Sequence, residues 1–175
     1  MIKYALYSYI PRRYWQKVSF MEQDICRKII GFKDGRNVYS RWAAQQIAQV
    51  LAGNDMADVT IVCVPASTQS AHTRRWKRFS HLLCQLTGAR DGFNRIQVSG
   101  CRKRAHVTGE YELATNIKHF LHIDDDFFYG RKVLVIDDIY TTGRSSRSFI
   151  GALQARGANV VGALFLAKTN TKHPR

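Results

Sequence analysis

Acidic residues are scarce in this sequence, which has 13 aspartates and glutamates against 27 lysines and arginines in 175 residues. The resulting formal net charge is +14 at pH 7. Such a charge indicates that the protein binds polyanions or anionic substrates, or else only keeps the chain in solution by self-repulsion. Composition does not choose among nucleic acid, phosphorylated metabolites and a solvated basic surface. The positions of the charges along the chain are therefore more informative than their number.

Paired cysteines and long apolar runs are also missing, and each absence excludes a class of protein. Cys26, Cys63, Cys84 and Cys101 form no C-x-x-C pair, which argues against a zinc site or a disulfide framework. No run approaches the roughly 18 to 20 apolar residues that cross a bilayer. The N-terminal stretch MIKYALYSYIPRRYW interleaves aromatic and charged residues and is a poor signal peptide. We therefore expect a cytoplasmic protein with no membrane partner.

The apolar share of 45% is large enough for a folded core in a chain of this length. No internal repeat, low-complexity tract or linker interrupts the sequence. We therefore expect a single domain over 1–175, with its core in 55–168. Residues 1–40 are the spare length for an N-terminal extension or hood.

Apolar patterns along the chain alternate between those of strands and those of helices. Strands are predicted where short apolar runs occur, and helices where apolar residues recur three or four positions apart. The predicted strands are 2–10, 59–64, 132–136 and 159–166, and the predicted helices are 38–51, 74–86 and 145–156. The last strand, helix and strand make a βαβ unit, whose strands are parallel. The sequence therefore predicts the α/β class, with a doubly wound and mostly parallel sheet.

The segment DDIYTTGRSS, residues 137–146, follows the strand predicted at 132–136 and leads into the next helix. The carboxyl ends of parallel strands are where open sheets bind ligands. A hydroxyl-rich turn that opens a helix suits a phosphate monoester, and Gly143 lets the backbone approach it. Asp137 and Asp138 suit sugar hydroxyls or a hydrated magnesium ion. Helix capping alone would explain the serines and threonines, and strand ends often carry acidic residues like the two aspartates. The combination predicts a site for a phosphorylated sugar.

The stretch VLVIDDIYTTGRS, residues 133–145, resembles the motif with which type I phosphoribosyltransferases bind 5-phosphoribosyl 1-pyrophosphate (PRPP). The resemblance implies that Asp137 and Asp138 bind the ribose 2′ and 3′ hydroxyls. It implies that the 5′-phosphate is held by five residues of the turn: Thr141, Thr142, Gly143, Arg144 and Ser145. It also implies Mg²⁺ as the cofactor, carried by PRPP close to the two aspartates, without an all-protein metal cage.

Within that superfamily, the chain looks most similar to the ComF-like, or amidophosphoribosyltransferase-like, proteins. The stretch CVPAS, residues 63–67, resembles their strand and the loop that binds pyrophosphate, which implies pyrophosphate binding by Ala66, Ser67 and Thr68. Weaker likeness extends over roughly 21–168. The cysteine-rich N-terminal finger of the competence proteins is missing, as are the glycine and asparagine that usually follow the arginines at 74 and 75.

A basic stretch at 74–104 has nine lysines and arginines against one acid, Asp91. Type I members close a mobile loop over PRPP, and our candidate for that loop is SGCRKRAHVTGE, residues 99–110. Its cations would stabilise the charge that develops on the leaving pyrophosphate, as catalytic residues. These cations are Arg102, Lys103 and Arg104. Two other interpretations are a solvated basic loop and nucleic-acid binding, with Trp76 and Phe79 available to stack on bases.

The leading functional prediction is a magnesium-dependent transferase. It would move the ribose 5-phosphate unit of PRPP to a nitrogen nucleophile, either a base or an amine, and release pyrophosphate. The alternative is a non-catalytic ComF-like protein that binds PRPP or DNA and serves DNA uptake or nucleotide sensing. The PRPP motif is common to both, so the sequence leaves the choice open. It also leaves open the acceptor and the oligomeric state, although type I members are often homodimers.

Overall fold

The computed structural model of the chain describes residues 2–99 and 121–170, which form a sheet between two layers of helices. Within this part of the chain the main sheet has five strands in the order β1-β7-β6-β2-β3, and every neighbouring pair is parallel. These strands are β1 (Ile2–Tyr9), β2 (Val59–Cys63), β3 (Arg90–Asp91), β6 (Lys132–Tyr140) and β7 (Asn159–Thr169). A separate antiparallel pair consists of β4 (Ile96–Val98) and β5 (Leu121–Ile123).

The helices lie on both faces of the main sheet. They are α1 (Phe20–Lys33), α2 (Asn37–Leu51), α3 (Gln69–Thr87), α4 (Asp125–Phe128) and α5 (Arg144–Gln154), with 3-10 turns at Arg12–Lys17 and Phe93–Arg95. Residues of α1, α2 and α3 share one apolar core with the sheet, and residues of α4 and α5 share the other. Among the residues described, no helix combines the length and the apolarity that crossing a bilayer requires.

Successive strand residues point to opposite sides of the sheet, and apolar residues are buried on both sides. On β2, Ile61 belongs to the core under α1, α2 and α3, whereas Val62 belongs to the core under α5. A strand buried on both faces needs a continuous apolar run, which is what residues 59–64 supply. The prediction of a doubly wound, mostly parallel α/β sheet is therefore confirmed.

The two largest differences from the predicted element boundaries each have a local reason. Helix α3 begins at Gln69 and not at residue 74, because the Thr68 hydroxyl accepts a hydrogen bond of 3.2 Å from the N–H of Ala71 and caps the helix. Strand β6 continues past residue 136 to Tyr140, because its parallel pairing with β7 continues to that residue. Asp137 and Asp138 therefore lie on the strand itself and not in the turn.

Residues 1–40, which we expected to form an extension or hood, contribute a strand and a helix to the main domain. Strand β1 pairs with β7, and Ile29 and Phe32 of α1 are fully buried. Helix α1 is absent from the predicted elements, although it begins with a capping box in which Ser19 and Glu22 each accept a hydrogen bond from the other's backbone N–H. The division of the whole chain into a single domain stays a prediction, as does a hood.

Candidate functional site

A cleft of about 520 Å³ opens at the carboxyl ends of β2 and β6. These two strands are neighbours, but the helix after β2 lies on one face of the sheet and the helix after β6 lies on the other. Such a reversal leaves a crevice between the two connections, and open α/β sheets bind ligands there. The end of α1, the loop after β2, the start of α3 and residues 137–146 line this cleft.

The two aspartates predicted to bind ribose stand side by side in the cleft, and backbone N–H groups orient both carboxylates. Asp137 Oδ1 accepts a hydrogen bond of 2.9 Å from the N–H of Asp138. Asp138 Oδ1 accepts one of 2.6 Å from the N–H of Ile139. The other oxygen, Asp138 Oδ2, lies 2.8 Å from Nη1 of Arg75, in an ion pair that lacks the alignment of a hydrogen bond.

The surroundings of Asp137 oppose the charged form of its carboxyl group. Burial, and then the neighbouring Asp138 carboxylate, raise the pKa of Asp137 well above its ordinary value, although Arg75 and Lys33 act in the opposite direction. Asp138 instead has the guanidinium of Arg75 beside it. A protonated carboxyl group both donates and accepts hydrogen bonds, so Asp137 in its protonated form can satisfy both kinds of hydrogen bond that sugar hydroxyls make.

The turn between β6 and α5 is held in one shape by its neighbours. Gly143 has a φ of +70°, and a Cβ atom on it would collide with the Tyr140 ring, so this position requires glycine. Thr141 Oγ1 lies 2.9 Å from Thr169 Oγ1 at the end of β7. Ser146 Oγ donates a hydrogen bond of 3.1 Å to the Gly143 carbonyl. The turn is therefore tied to the neighbouring strand β7 and to its own helix.

Helix α5 begins at Arg144 without a side-chain cap and without an acidic residue in its first turn. The first N–H groups of a helix lack intrahelical partners and carry partial positive charge, which favours an anion. All five residues predicted to hold the 5′-phosphate line the cleft. The structure thus brings the whole predicted set together, and its role in phosphate binding stays a prediction.

The residues predicted to bind pyrophosphate are only partly at the cleft. Ala66 and Ser67 line it, on the loop that follows β2. The Thr68 hydroxyl instead caps α3 by accepting the N–H of Ala71. The loop after β2 and the turn after β6 nevertheless meet in one cleft, because β2 and β6 are neighbouring strands.

The structure does not describe the predicted loop cations, and it buries the predicted stacking side chains. The three predicted catalytic cations lie outside the described residues: Arg102, Lys103 and Arg104. Trp76 and Phe79 are fully buried in the core between α3 and the sheet. The interpretation that these two rings are available to stack on bases is therefore wrong, because their side of α3 is the one that packs on the sheet.

The chain has curated relatives among the adenine phosphoribosyltransferases. Those of Thermotoga sp. (strain RQ2) and of Thermotoga maritima (strain ATCC 43589 / DSM 3109 / JCM 10099 / NBRC 100826 / MSB8) are each 32% identical to it over 85 residues, which is 48% of this chain and 49% of either relative. These matches support the type I phosphoribosyltransferase superfamily. No family model matches the chain. The chain spans about half the length of the curated relatives it matches, and the ComF-like resemblance stays an expectation from the sequence.

Three cations of this cleft were not assigned from the sequence: Lys33, Arg74 and Arg75. Arg75 is the most constrained, because its Nε also donates a hydrogen bond of 2.8 Å to the carbonyl oxygen of Lys33. It therefore joins the end of α1 to Asp138 on β6. The available signal was the pair of arginines shortly after the loop that follows β2. The rotation of α3, which decides where they point, is not visible in the sequence.

The donor atoms at the cleft fit a magnesium ion that arrives with its ligand. Among the residues described, no group of three or more histidine, cysteine or acidic side chains could hold a metal. Asp137 and Asp138 offer carboxylate oxygens, although Asp138 is already paired with Arg75. Mg²⁺ usually binds through one or two carboxylates together with substrate phosphates. This set therefore fits a metal brought by a phosphate-bearing ligand.

Proposed function

We propose that the protein binds PRPP in the cleft between β2 and β6 and transfers its ribose 5-phosphate unit to a nitrogen nucleophile. The observation that carries this proposal is that one cleft is lined by both the Asp137–Asp138 pair and the glycine-containing turn at the start of α5. Carboxyl groups suit sugar hydroxyls, and a helix start suits a phosphate. The adenine phosphoribosyltransferase relatives support phosphoribosyl transfer as the general reaction.

In this proposal the residues of the chain hold PRPP at three places. Asp137 and Asp138 bind the 2′ and 3′ hydroxyls, and the turn at 141–145 binds the 5′-phosphate. The loop after β2, with Ala66 and Ser67, lies on the pyrophosphate side. Holding the two ends of the sugar leaves its C1 atom in a fixed place, so that a nucleophile meets it in the reactive orientation.

The reaction forms one bond to ribose C1 and breaks another. The lone pair of the acceptor nitrogen forms the new bond, and pyrophosphate leaves with the electron pair of its bond to C1, while the nitrogen loses its proton to solvent. Negative charge grows on the leaving group, and positioned cations stabilise it. Among the residues described, Arg74 and Arg75 are candidates for this role beside the predicted Arg102, Lys103 and Arg104. Bound Mg²⁺ would supply further charge neutralisation for pyrophosphate.

Binding is tested by isothermal titration of the protein with PRPP in the presence of Mg²⁺. One hydrogen bond to a charged group contributes about 1.5–3 kcal/mol, so the double variant Asp137→Asn, Asp138→Asn should lose at least about tenfold in affinity. Asp126→Asn is the matched control, because it removes an exposed carboxylate from α4, before the start of β6. Wild-type affinity in the double variant would show that the ribose assignment is wrong.

The single variant Asp137→Asn separates loss of the site from loss of the fold. Burial and Asp138 oppose the charged form of Asp137, so a neutral amide is expected not to lower the free energy of unfolding at pH 7. Weaker PRPP binding by this folded variant would therefore report on the site itself. Urea unfolding of the same sample supplies the stability measurement.

Turnover is tested by measuring pyrophosphate release from PRPP with candidate acceptors. Adenine is the first base to try, because the matched relatives are named for it, and other nitrogen bases and amines follow. Release with one acceptor, abolished in the Asp137→Asn, Asp138→Asn variant, would establish the transferase. PRPP binding without release for any acceptor would instead favour the non-catalytic alternative, a protein that binds PRPP or DNA without turnover.

A further inference from the structure

A second concave surface lies beside the PRPP cleft, along the exposed side of α3. It is a groove of about 510 Å³ between α3 and the turn that joins α1 to α2. The turn contributes Gly35, the start of α2 contributes Asn37, and α3 contributes Thr73, Arg74, Lys77, Arg78 and His81. We call this surface the α3 groove. Lys77 and Arg78 follow Arg74 by three and four positions and precede His81 by four and three, so these basic residues share one face of the helix.

The cations of the α3 groove have no ion-pair partner among the residues that the structure describes. No described carboxylate lines the groove. The described ion pairs of lysine and arginine side chains are made by other residues: Lys28, Arg75, Arg90, Arg95 and Arg156. Like charges three or four positions apart on a helix destabilise it. A bound anion would remove this repulsion.

One wall of the α3 groove is fixed by tight packing between the turn and the helix. A Cβ atom on residue 35 would lie 2.5 Å from Cγ of Arg74 and 2.9 Å from its carbonyl oxygen. Gly35 also has a φ of +77°, which glycine tolerates best. The stem of Arg74 is therefore packed against the turn, so that less side-chain freedom is lost when its guanidinium binds an anion.

We propose that the α3 groove is a second binding site, which takes a phosphate-chain anion such as pyrophosphate or a nucleoside di- or triphosphate. Residues 74 to 81 extend along about 10 Å of helix axis at the usual rise of about 1.5 Å per residue. Cations spread over that length can contact successive phosphate groups, for which arginine and lysine are the usual side-chain ligands. The volume of about 510 Å³ is also that of a small-molecule site.

The lining of the α3 groove favours a small anion over a nucleic-acid strand. Proteins that bind single strands combine a basic groove with aromatic rings on which bases stack. Among the described residues, no phenylalanine, tyrosine or tryptophan lines this groove. Trp76 and Phe79 of the same helix point into the core. Phosphate groups therefore have ligands here, whereas successive bases do not.

Arg74 couples the two sites, because it lines both the PRPP cleft and the α3 groove. An anion in the groove competes for this guanidinium, so each ligand weakens the binding of the other by the same factor. This coupling rests on the proposed function, whereas the groove site itself does not. Pyrophosphate or a nucleotide would then oppose PRPP binding from outside the cleft.

The groove is tested by titrating the protein with ATP and with pyrophosphate at constant ionic strength. The double variant Lys77→Gln, Arg78→Gln removes two exposed cations that do not line the PRPP cleft. It should bind ATP at least about tenfold more weakly than the wild type. The control Lys3→Gln, Lys132→Gln makes the same charge change at the amino ends of β1 and β6, away from the groove. Its affinity for ATP should equal that of the wild type.

Pyrophosphate and PRPP then separate this inference from the proposed function. If pyrophosphate binds in both the PRPP cleft and the α3 groove, titration should give two sites per chain in the wild type and one in the groove variant. Affinity for PRPP alone should be unchanged in the groove variant and reduced in Arg74→Gln. If the wild type binds ATP but not PRPP, and the groove variant loses ATP binding, the proposed function is overturned. The α3 groove would remain supported as a binding site.

Three outcomes would overturn the α3 groove as a site for a phosphate chain. The first is equal affinity of the wild type and the groove variant for both ATP and pyrophosphate. The second is an equal loss in the control variant, which would mean general attraction to a basic protein. The third is binding of a single-stranded oligonucleotide without binding of ATP, which would identify a nucleic-acid surface.

Discussion

Arg75 and His72, three positions apart on α3, show how differently two basic side chains can be placed on one helix. The Arg75 guanidinium faces the cleft and is paired with Asp138. The His72 ring is buried and stacks on Phe93, with ring centroids 5.1 Å apart. Neither ring nitrogen has a hydrogen-bond partner among the residues described. Burial, and to a lesser degree the charge of Arg75, lower the pKa of His72 to about 4.

We predict that His72 makes the fold sensitive to mild acid. The pKa of His72 in the folded protein, about 4, lies below its ordinary value of about 6.5. Between these two pH values the histidine is mostly protonated in the unfolded chain and mostly neutral in the folded chain. Stability is therefore complete above about pH 6.5 and is lost as the pH falls towards 4. This group should make the free energy of unfolding about 2 kcal/mol lower at pH 5 than at pH 7.

The measurement is urea unfolding of the wild type and of His72→Phe at both pH values. Phenylalanine keeps a ring against Phe93 but cannot take up the proton, so this variant should lose less stability at pH 5 than the wild type. His81→Gln, at an exposed position of the same helix, is the control and should behave like the wild type. An equal loss in the wild type and in His72→Phe would contradict the role of His72.

At the scale of elements, the turn that joins β6 to α5 depends on one glycine. Gly143 and Gly130 both have a φ of +70°, but only at Gly143 would a Cβ atom meet other atoms, those of the Tyr140 ring. A left-handed conformation costs a non-glycine residue about 1–3 kcal/mol. At Gly143 the collision adds to that cost, and it also displaces the turn that we propose holds the 5′-phosphate.

We therefore predict that Gly143→Ala loses more stability than Gly130→Ala, by about 1 kcal/mol or more, because overpacking adds to backbone strain. Only Gly143→Ala should also lose affinity for PRPP. Urea unfolding and isothermal titration of both variants give the two quantities. If both variants bound PRPP like the wild type, the turn would have no part in holding the phosphate.

The element boundaries show where short-range signals were sufficient and where they were not. The bounds of helix α2 and of strands β2 and β7 lie within a few positions of those predicted from apolar spacing. Helix α1 was missed, although its capping box from Ser19 to Glu22 is written in the sequence. The first turn of α3 was missed because the cap at Thr68 precedes the apolar periodicity. In both helices the start is set by a polar cap that periodicity does not detect.

At the scale of the whole molecule, the net charge of +14 opposes compactness through self-repulsion. Salt shortens the range of that repulsion, from about 30 Å at 0.01 M to about 10 Å at 0.1 M. We predict that the melting temperature rises with sodium chloride over this range, by about 2–4 °C for each kcal/mol of repulsion that is relieved. Differential scanning calorimetry measures it. A fall in melting temperature would mean that the surface ion pairs outweigh the repulsion.

Nucleic-acid binding and a homodimer stay predictions at this scale. Nucleic-acid affinity that depends on phosphate contacts falls steeply with salt, so a salt titration against single-stranded and duplex DNA tests the first. Absence of binding at low salt would remove it. The mass of the protein in solution tests the second.

The sequence by itself determined the α/β class, the parallel sheet and the position of the PRPP-like motif. Each depends on a pattern only a few residues long: the apolar run of a buried strand, or the turn residues at 137–145. Such local patterns can be recognised without knowledge of the surrounding fold. Tertiary structure alone decided which side chains meet that motif. Lys33 and Arg75 reach it from helices distant in the sequence. The rotation of α3 turned Trp76 into the core and Arg74, Lys77 and Arg78 towards the α3 groove, because burial of an apolar helix face on the sheet fixes where its polar face points.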